Sequence, residues 1–301
     1  MKNINLSYVI ATYNRLPFLK ITLEKLLNEL LADEEIVIVD GNSTDGSKEY
    51  LQAFFDEGKI NQFVSEPDKN QAHAWNKAML MAKGIIIKKI IDDDVFCYKA
   101  IRECKDYLLA NPTVDVLISN DLGSSLHNYK NIQKLSRLPY FEKWNKGITH
   151  SFTFGDVHML IRRSSLAYVG LYNPAFTMMD WEYSLRISYL KANIAYYTGY
   201  NALSVAHPQT VSALKNNKLI DEQSKRACIF YQYAGDRTEI SMWSEIKILG
   251  GKLLHQIKAV DSTKEVDVEN IYSIYCYYYQ YITDLNKGQD FNILTGQKEY
   301  R

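Results

Sequence analysis

Three consecutive carboxylates, Asp92-Asp93-Asp94, close a run of mostly β-prone aliphatic residues at 85–91. A strand that delivers acidic side chains to one end makes a short, rigid set of oxygen ligands. Hard divalent cations such as Mg2+ or Mn2+ take such sets, binding through one or two carboxylates and completing their shell with water and substrate phosphates. The implied partner is a diphosphate. Taken alone, the triplet reads more readily as a solvated acidic turn, so the neighbouring chemistry has to decide.

Further polar groups stand at comparable points. Thr12, Tyr13 and Asn14 follow the β-prone run 6–11, Asp40 ends the apolar run 35–40, and Asp68 lies in the loop behind the run 60–65. Downstream, Asp180 and Glu182 open a helix-like segment, and His207 sits in the stretch 205–212.

Bringing these positions together requires alternating strands and helices. Pro17 suits the first turn of a helix, and Leu19, Leu23, Leu26, Leu27 and Leu30 recur at the spacing of one helical face, so a helix to about residue 31 is expected. The turn-rich loop 41–46 offers Ser43, Thr44 or Asp45 as a cap for a helix to about residue 55. Residues 71–83 read as a third helix, with Gly84 as its C-terminal glycine. Residues 98–110 read as a fourth helix, followed by a strand at 114–119. This alternation predicts an open, mainly parallel sheet covered on both faces. In such sheets ligands bind beyond the carboxyl ends of the strands. Thr12 to Asn14, Asp40, Asp68 and the Asp triplet all fall at those ends.

Composition bounds the partners. The 301 residues are 47% hydrophobic and 23% charged, enough for a sizeable core. Lys plus Arg equals Asp plus Glu at 35 each, which removes any general attraction to nucleic acid. Cys97, Cys104, Cys228 and Cys276 show no CxxC spacing, the N-terminus has no signal-peptide pattern, and no apolar run approaches a membrane span. A cytoplasmic location, with contact at the inner face of the plasma membrane as its extension, is the expectation.

The ordered motifs resemble the nucleotide-diphospho-sugar glycosyltransferases of the GT-A fold, specifically the large inverting family 2. Ser7-Tyr8-Val9-Ile10-Ala11-Thr12-Tyr13-Asn14-Arg15 is similar to that family's opening strand and nucleotide loop, and residues 36–47 resemble its second signature. Ser65-Glu66-Pro67-Asp68-Lys69-Asn70, then Ala74-Trp75-Asn76-Lys77-Ala78 and Ala82-Lys83-Gly84, are similar to the third. Asp92 to Asp94 fall where the family carries its metal-binding aspartates. The resemblance implies an α/β fold, a GT-A Rossmann-like mixed sheet flanked by helices over 1–215, with a helical C-terminal extension over 216–301.

Roles follow from the same resemblance. Asp40 and Asp68 would contact the nucleoside, or else cap helices and close turns. The backbone at Thr12, Tyr13 and Asn14 would line the base, with Tyr13 able to stack on it. Asp92 and Asp94 would serve the metal, Asp94 first, while Asp93 stands on the nucleotide side; how Asp92 and Asp93 divide the ribose and water-mediated contacts stays open. His207 would be a third metal or diphosphate ligand. Asp180 matches the catalytic base, with Glu182 the second choice. Gly41 replaces an aspartate common in the family, which leaves uridine only as the default base. Asn70 and His73-Ala74-Trp75 also depart from the usual pattern on the sugar side.

The implied activity is a metal-dependent, inverting transfer of a sugar from a nucleotide-diphosphate donor to a hydroxyl of a glycan or lipid-linked sugar in surface polysaccharide or glycolipid synthesis. A sugar nucleotidyltransferase would need a glycine-rich basic loop after the first strand, and Thr12-Tyr13-Asn14-Arg15-Leu16-Pro17 is not one. A non-catalytic scaffold is the other alternative. The acceptor would face the stretch 120–154, where Tyr140, Phe141 and Trp144 suit sugar stacking or packing under a lid, and His158 is a further candidate. Two C-terminal stripes are expected: Ile246, Leu249, Leu253, Ile257 and Val260, then Ile271, Ile274, Tyr275, Tyr278, Ile282 and Leu285. They would pack on the catalytic domain, or else serve membrane contact or a homodimer.

Overall fold

Strand β2 (Glu34–Asp40) is buried along its whole length, as its unbroken run Ile36-Val37-Ile38-Val39 requires of a strand covered on both faces. In the computed structural model, which describes residues 3–207, 217–233, 235 and 268–296, it pairs in parallel with β1 (Leu6–Thr12) and β3 (Gln62–Ser65). Strand β1 also pairs in parallel with β4 (Ile86–Ile90). The crossovers are α1 (Leu16–Glu29), α2 (Ser47–Asp56) and α3 (Gln71–Met81). Thr12 lies opposite Asp40, and Asp40 opposite Ser65, so the carboxyl ends of these strands are level.

The rest of the chain continues as β5 (Val95–Phe96), α4 (Tyr98–Ala110), β6 (Val116–Ser119), β7 (Asp121–Ser125), β8 (Gln133–Leu135), α5 (Leu138–Asn145), β9 (Met159–Arg162), α6 (Leu166–Val169) and α7 (Met179–Tyr189). It then forms β10 (Ile194–Tyr197), β11 (Ala202–Ala206), α8 (Asn217–Phe230), α9 (Val268–Leu285) and β12 (Ile293–Thr295). The main sheet has eight strands in the order β12-β10-β6-β9-β4-β1-β2-β3. Strand β9 runs antiparallel to both neighbours, β4 and β6, so the sheet is mixed. A second sheet, β5-β11-β7-β8, packs beside it.

Strand alternation divides the interior. Tyr8, Ile10, Ile36 and Ile38 join the core shared with α1, α4 and α9. Val9, Val37 and Val39 join the opposite core with Trp75, Phe141, Trp144 and Tyr183, as a period of two demands. Phe141 and Trp144 are therefore core residues, not sugar-stacking platforms. In α9 the expected stripe is buried: Ile271, Ile274, Tyr275, Tyr278 and Ile282 all enter the first core. The stripe at 246–260 and the boundary at 215–216 lie outside the described residues. No described helix is long and apolar enough to cross a membrane.

Gly84 has a different reason from the one its position suggests. Helix α3 ends at Met81, and a Cβ on Gly84 would stand 2.7 Å from the backbone nitrogen of Ser7. Close approach to β1, not a left-handed cap, requires the glycine there.

Candidate functional site

The ends of β1, β2 and β4 are tied into one ledge by side chains from the adjoining loops. Asp40 is fully buried; its oxygens accept hydrogen bonds from the Ser43 amide (3.0 Å), the Ser43 hydroxyl (2.5 Å) and the Ser65 hydroxyl (2.7 Å). Asn14 and Asn42 take positive φ angles of 52° and 64°, which short polar side chains tolerate. The Asn14 amide donates to Ser43 Oγ at 2.9 Å, and the Thr44 amide donates to Asn14 Oδ1 at 2.8 Å, lacing the two loops together. Asp40 thus orders the wall of the crevice from behind. A Cβ on Gly41 would lie 3.2 Å from the Tyr13 ring, so the glycine lets that ring lie against the loop while Tyr13 stays 59% exposed.

These loops enclose a crevice of about 790 Å3, lined by Thr12, Tyr13, Gly41, Asp68, Asn70 and Asp92 among others. The volume suits a ligand of nucleotide-sugar size. Asp68 is ion-paired with Lys77 at 2.7 Å and lies 3.0 Å from His73 Nδ1.

At the floor the three aspartates point to different partners. Thr12 Oγ1 donates to Asp92 Oδ2 at 2.6 Å. The Val205 amide of β11 donates to Asp94 Oδ1 at 2.8 Å. Asp93 Oδ2 takes Arg15 Nη1 at 2.6 Å and stands 2.7 Å from His207 Nε2. The His207 ring stacks on Phe18, centroids 4.7 Å apart, and Tyr275 of α9 donates its hydroxyl to the Asp93 carbonyl. The geometry therefore brings Asp93 and His207 together and turns Asp94 toward β11, a different division from the one the resemblance implied.

All three carboxylates are buried, between 4% and 6% exposed. Burial, with the Asp93 charge adding, pushes Asp92 up to about 7. Burial and Asp93 also raise Asp94 well above the carboxylate range. Burial works against Asp93 too, yet the His207 hydrogen bond and the Arg15 charge hold it below its ordinary value. Three carboxylates in low dielectric beside one guanidinium make a site short of positive charge. Among the described residues no group of three His, Cys, Asp or Glu side chains forms a metal cage. The donor set nonetheless fits a divalent ion that completes its shell with phosphates and water: one carboxylate, one imidazole and two further acids alongside.

The acidic pair on α7 separates into two environments. Glu182 is 1% exposed and bound by Arg186 at 3.0 and 3.1 Å and by the Tyr231 hydroxyl. Arg186 also donates to the carbonyls of Val169 and Leu171. Glu182 is thereby a fastener between α7, α8 and the loop after α6. Asp180 is half-buried. Burial raises its proton affinity, Asp156 raises it further, and Lys89 opposes both. The loop leading into α7 reaches the crevice rim, where Asn70 Nδ2 donates to the Pro174 carbonyl at 2.9 Å.

Sequence reasoning did not single out Arg15, Lys89, Asp156 or Tyr172 for roles here. A signal existed for the lysine: Lys88-Lys89 interrupts an aliphatic run on a strand that must be buried. Lys88 is fully buried, donating to the carbonyls of Val157 and Met159 and to Asn201 Oδ1, and burial lowers it to about 7. His158 is also buried, lowered to about 4 by burial, and does not line an open acceptor site.

The mixed sheet and its helical layers are those of the GT-A glycosyltransferase fold. A sequence model described as Glycosyl transferase family 2 matches residues 7–170, and the chain belongs to that family. Chondroitin synthase of Pasteurella multocida is 26% identical over 136 residues, 44% of this chain. The chain spans only about 14% of that relative's length through this match. Among solved structures, Staphylococcus aureus TarS 1-349 in complex with UDP-GlcNAc aligns over 96% of this chain and 99% of its own, with a TM-score of 0.60 and 13% identity. The mannosyltransferase PcManGT of Pyrobaculum calidifontis, in complex with GDP-Man and Mn2+, aligns over 95% and 88%, with a TM-score of 0.52 and 15% identity. At these identities the likeness is one of fold.

Proposed function

We propose that this chain is an inverting hexosyltransferase that moves a sugar from a nucleotide-diphosphate donor, a UDP-sugar by default, onto a hydroxyl of a glycan or lipid-linked sugar during surface polysaccharide or glycolipid synthesis, at the cytoplasmic face. The observation that carries this reading is one crevice bordered by the β1 and β2 loops and reaching Arg15 and Asp92, the first member of a buried acidic triplet. The half-buried Asp180 stands on the helix reached from its rim. The TarS and PcManGT complexes, with UDP-GlcNAc and GDP-Man, support the donor class.

Tyr13 offers an exposed ring face to the base, and the laced loops offer polar groups to the ribose. Asp93 and His207 would hold a Mg2+ or Mn2+ ion, with Asp92 and Asp94 beside them. When bound, that ion neutralises the charge of the departing nucleoside diphosphate. Arg15, held by Asp93 and lining the crevice, would place positive charge beside the phosphates. Asp180 accepts the acceptor hydroxyl's proton as its oxygen bonds to the anomeric carbon; the bond to the diphosphate breaks and its electron pair leaves with the phosphate. A raised proton affinity suits this task, since a base works best near the ambient pH.

Thermal-shift screening of a nucleotide-sugar panel with and without Mn2+, followed by assay of nucleoside diphosphate release, tests the reading. Stabilisation by one donor, enhanced by Mn2+, and diphosphate release are expected. Pyrophosphate release would point to a nucleotidyltransferase, and binding without turnover to a scaffold; either result overturns it.

A further inference from the structure

Beside helix α7, which carries Asp180, lies a buried cluster of charge outside the lining of the crevice. Lys89 and Asp156 are 6% and 3% exposed and pair at 2.6 Å. The same oxygen, Asp156 Oδ2, accepts the Tyr172 hydroxyl at 2.7 Å. The Lys89 ammonium is 4.4 Å from the Trp75 ring centroid and 5.2 Å from that of Tyr172. The Tyr172 ring packs on Tyr183 of α7, centroids 4.5 Å apart, three residues after Asp180. The short turn Asp156–His158 packs against both β4 and α7. A strand, a turn and an aromatic pair thus bear on the helix that carries Asp180.

Buried ion pairs seldom raise stability above what apolar side chains of similar size provide. One placed against a functional carboxylate has a second use. Lys89 pairs with Asp156 and also acts on Asp180 through its charge, while Asp156 acts on Asp180 with the opposite sign. Of the other titratable groups nearby, Glu182 on the same helix is already matched by Arg186, and the Tyr172 hydroxyl is engaged with Asp156.

We propose that the Lys89, Asp156 and Tyr172 stack is a charge-balancing mount that sets how tightly the half-buried Asp180 carboxylate holds its proton. Lys89 and Asp156 are positioning residues; neither touches substrate. The inference rests on reading Asp180 as the base, but its main test does not. The two members of the pair act on Asp180 with opposite sign. Without the ammonium, the Asp156 charge acts on Asp180 unopposed and Asp180 holds its proton more tightly. Without the Asp156 charge, Lys89 faces Asp180 alone and its proton is held more loosely.

The full chain, labelled with 13C at aspartate carboxyls, is titrated by NMR, with the Asp180 signal identified by its loss in Asp180→Asn. Lys89→Met should move the Asp180 midpoint upward by on the order of 1 pH unit, and Asp156→Asn should move it downward. Lys89→Arg should restore it. Hydrolysis of UDP-N-acetylglucosamine against pH should show the acidic limb of kcat moving in the same two directions, with the donor KM unchanged. Midpoints that stay still, or move the same way in both variants, overturn the mount. Should a variant fail to fold, Tyr172→Phe, which removes one hydroxyl, gives the milder upward shift through a less neutralised Asp156; no shift there also counts against it. Opposite shifts together with full turnover in Asp180→Asn would leave the mount standing and remove the base.

Discussion

The two sides of the crevice are built by different means. On the nucleotide side, the wall acid Asp40 is satisfied close by, by Ser43, three residues on, and by Ser65 on the neighbouring strand, and only the acids of the triplet reach farther along the chain. On the Asp180 side, charges meet from far apart in the chain: Lys89 and Asp156 are separated by 67 residues, and Glu182 meets Tyr231 across 49. The first kind of site is a property of a motif. The second is a property of the packed fold, and its acids differ in role although they are neighbours in sequence.

The sharpest way to break this contrast is Asp180→Asn. Turnover should fall roughly a thousand-fold while donor binding, followed by calorimetry, stays unchanged; retained turnover would assign both sides of the crevice to binding. Next comes Asp93→Ala on the nucleotide side. Turnover should fall by about a hundred-fold or more, and the Mn2+-dependent part of the donor thermal shift should vanish with it. A shift that persists would return the ion to Asp94.

Glu182→Ala sharpens the contrast between the two acids of α7. It strands Arg186 and the Tyr231 hydroxyl, so chemical denaturation should report a loss of about 3 kcal/mol, while kcat at a temperature where the variant is folded changes only a few-fold. The smallest effect on turnover belongs to Lys88→Met. Burial lowers Lys88 to about 7 from its ordinary 10.5. Between those values the unfolded chain keeps a proton that the folded chain has released, so this group's contribution rises with pH through that window and is lost as pH falls through 7. Denaturation midpoints of wild type should therefore gain on those of Lys88→Met between pH 6.5 and 9; a constant difference would sink the assignment.

The same contrast explains what could be read ahead of the coordinates. The runs 6–11 and 35–40, the loops behind them and the Asp triplet at the end of β4 were legible because burial on two faces leaves an unbroken apolar run and turns leave their own residues. Strand β9 is four residues long and slips antiparallel between β4 and β6, which no local pattern encodes. Phe141 and Trp144 lie in a stretch that reads as a surface loop, yet the second core needed their volume. Lys89 finds its partner only when the turn at 156–158 crosses β4. The pairing of Asp93 with His207 likewise depends on β11 carrying a histidine across 114 residues to the end of β4.

Tyr275 links the two ends of the molecule's history. Its hydroxyl holds the carbonyl of Asp93 from 182 residues later in the chain. A ribosome finishes the acidic turn long before it makes that tyrosine. The nascent polypeptide can therefore complete its opening strands while the acidic turn still waits for this brace, so the turn is fastened only after the chain has grown 182 residues past it.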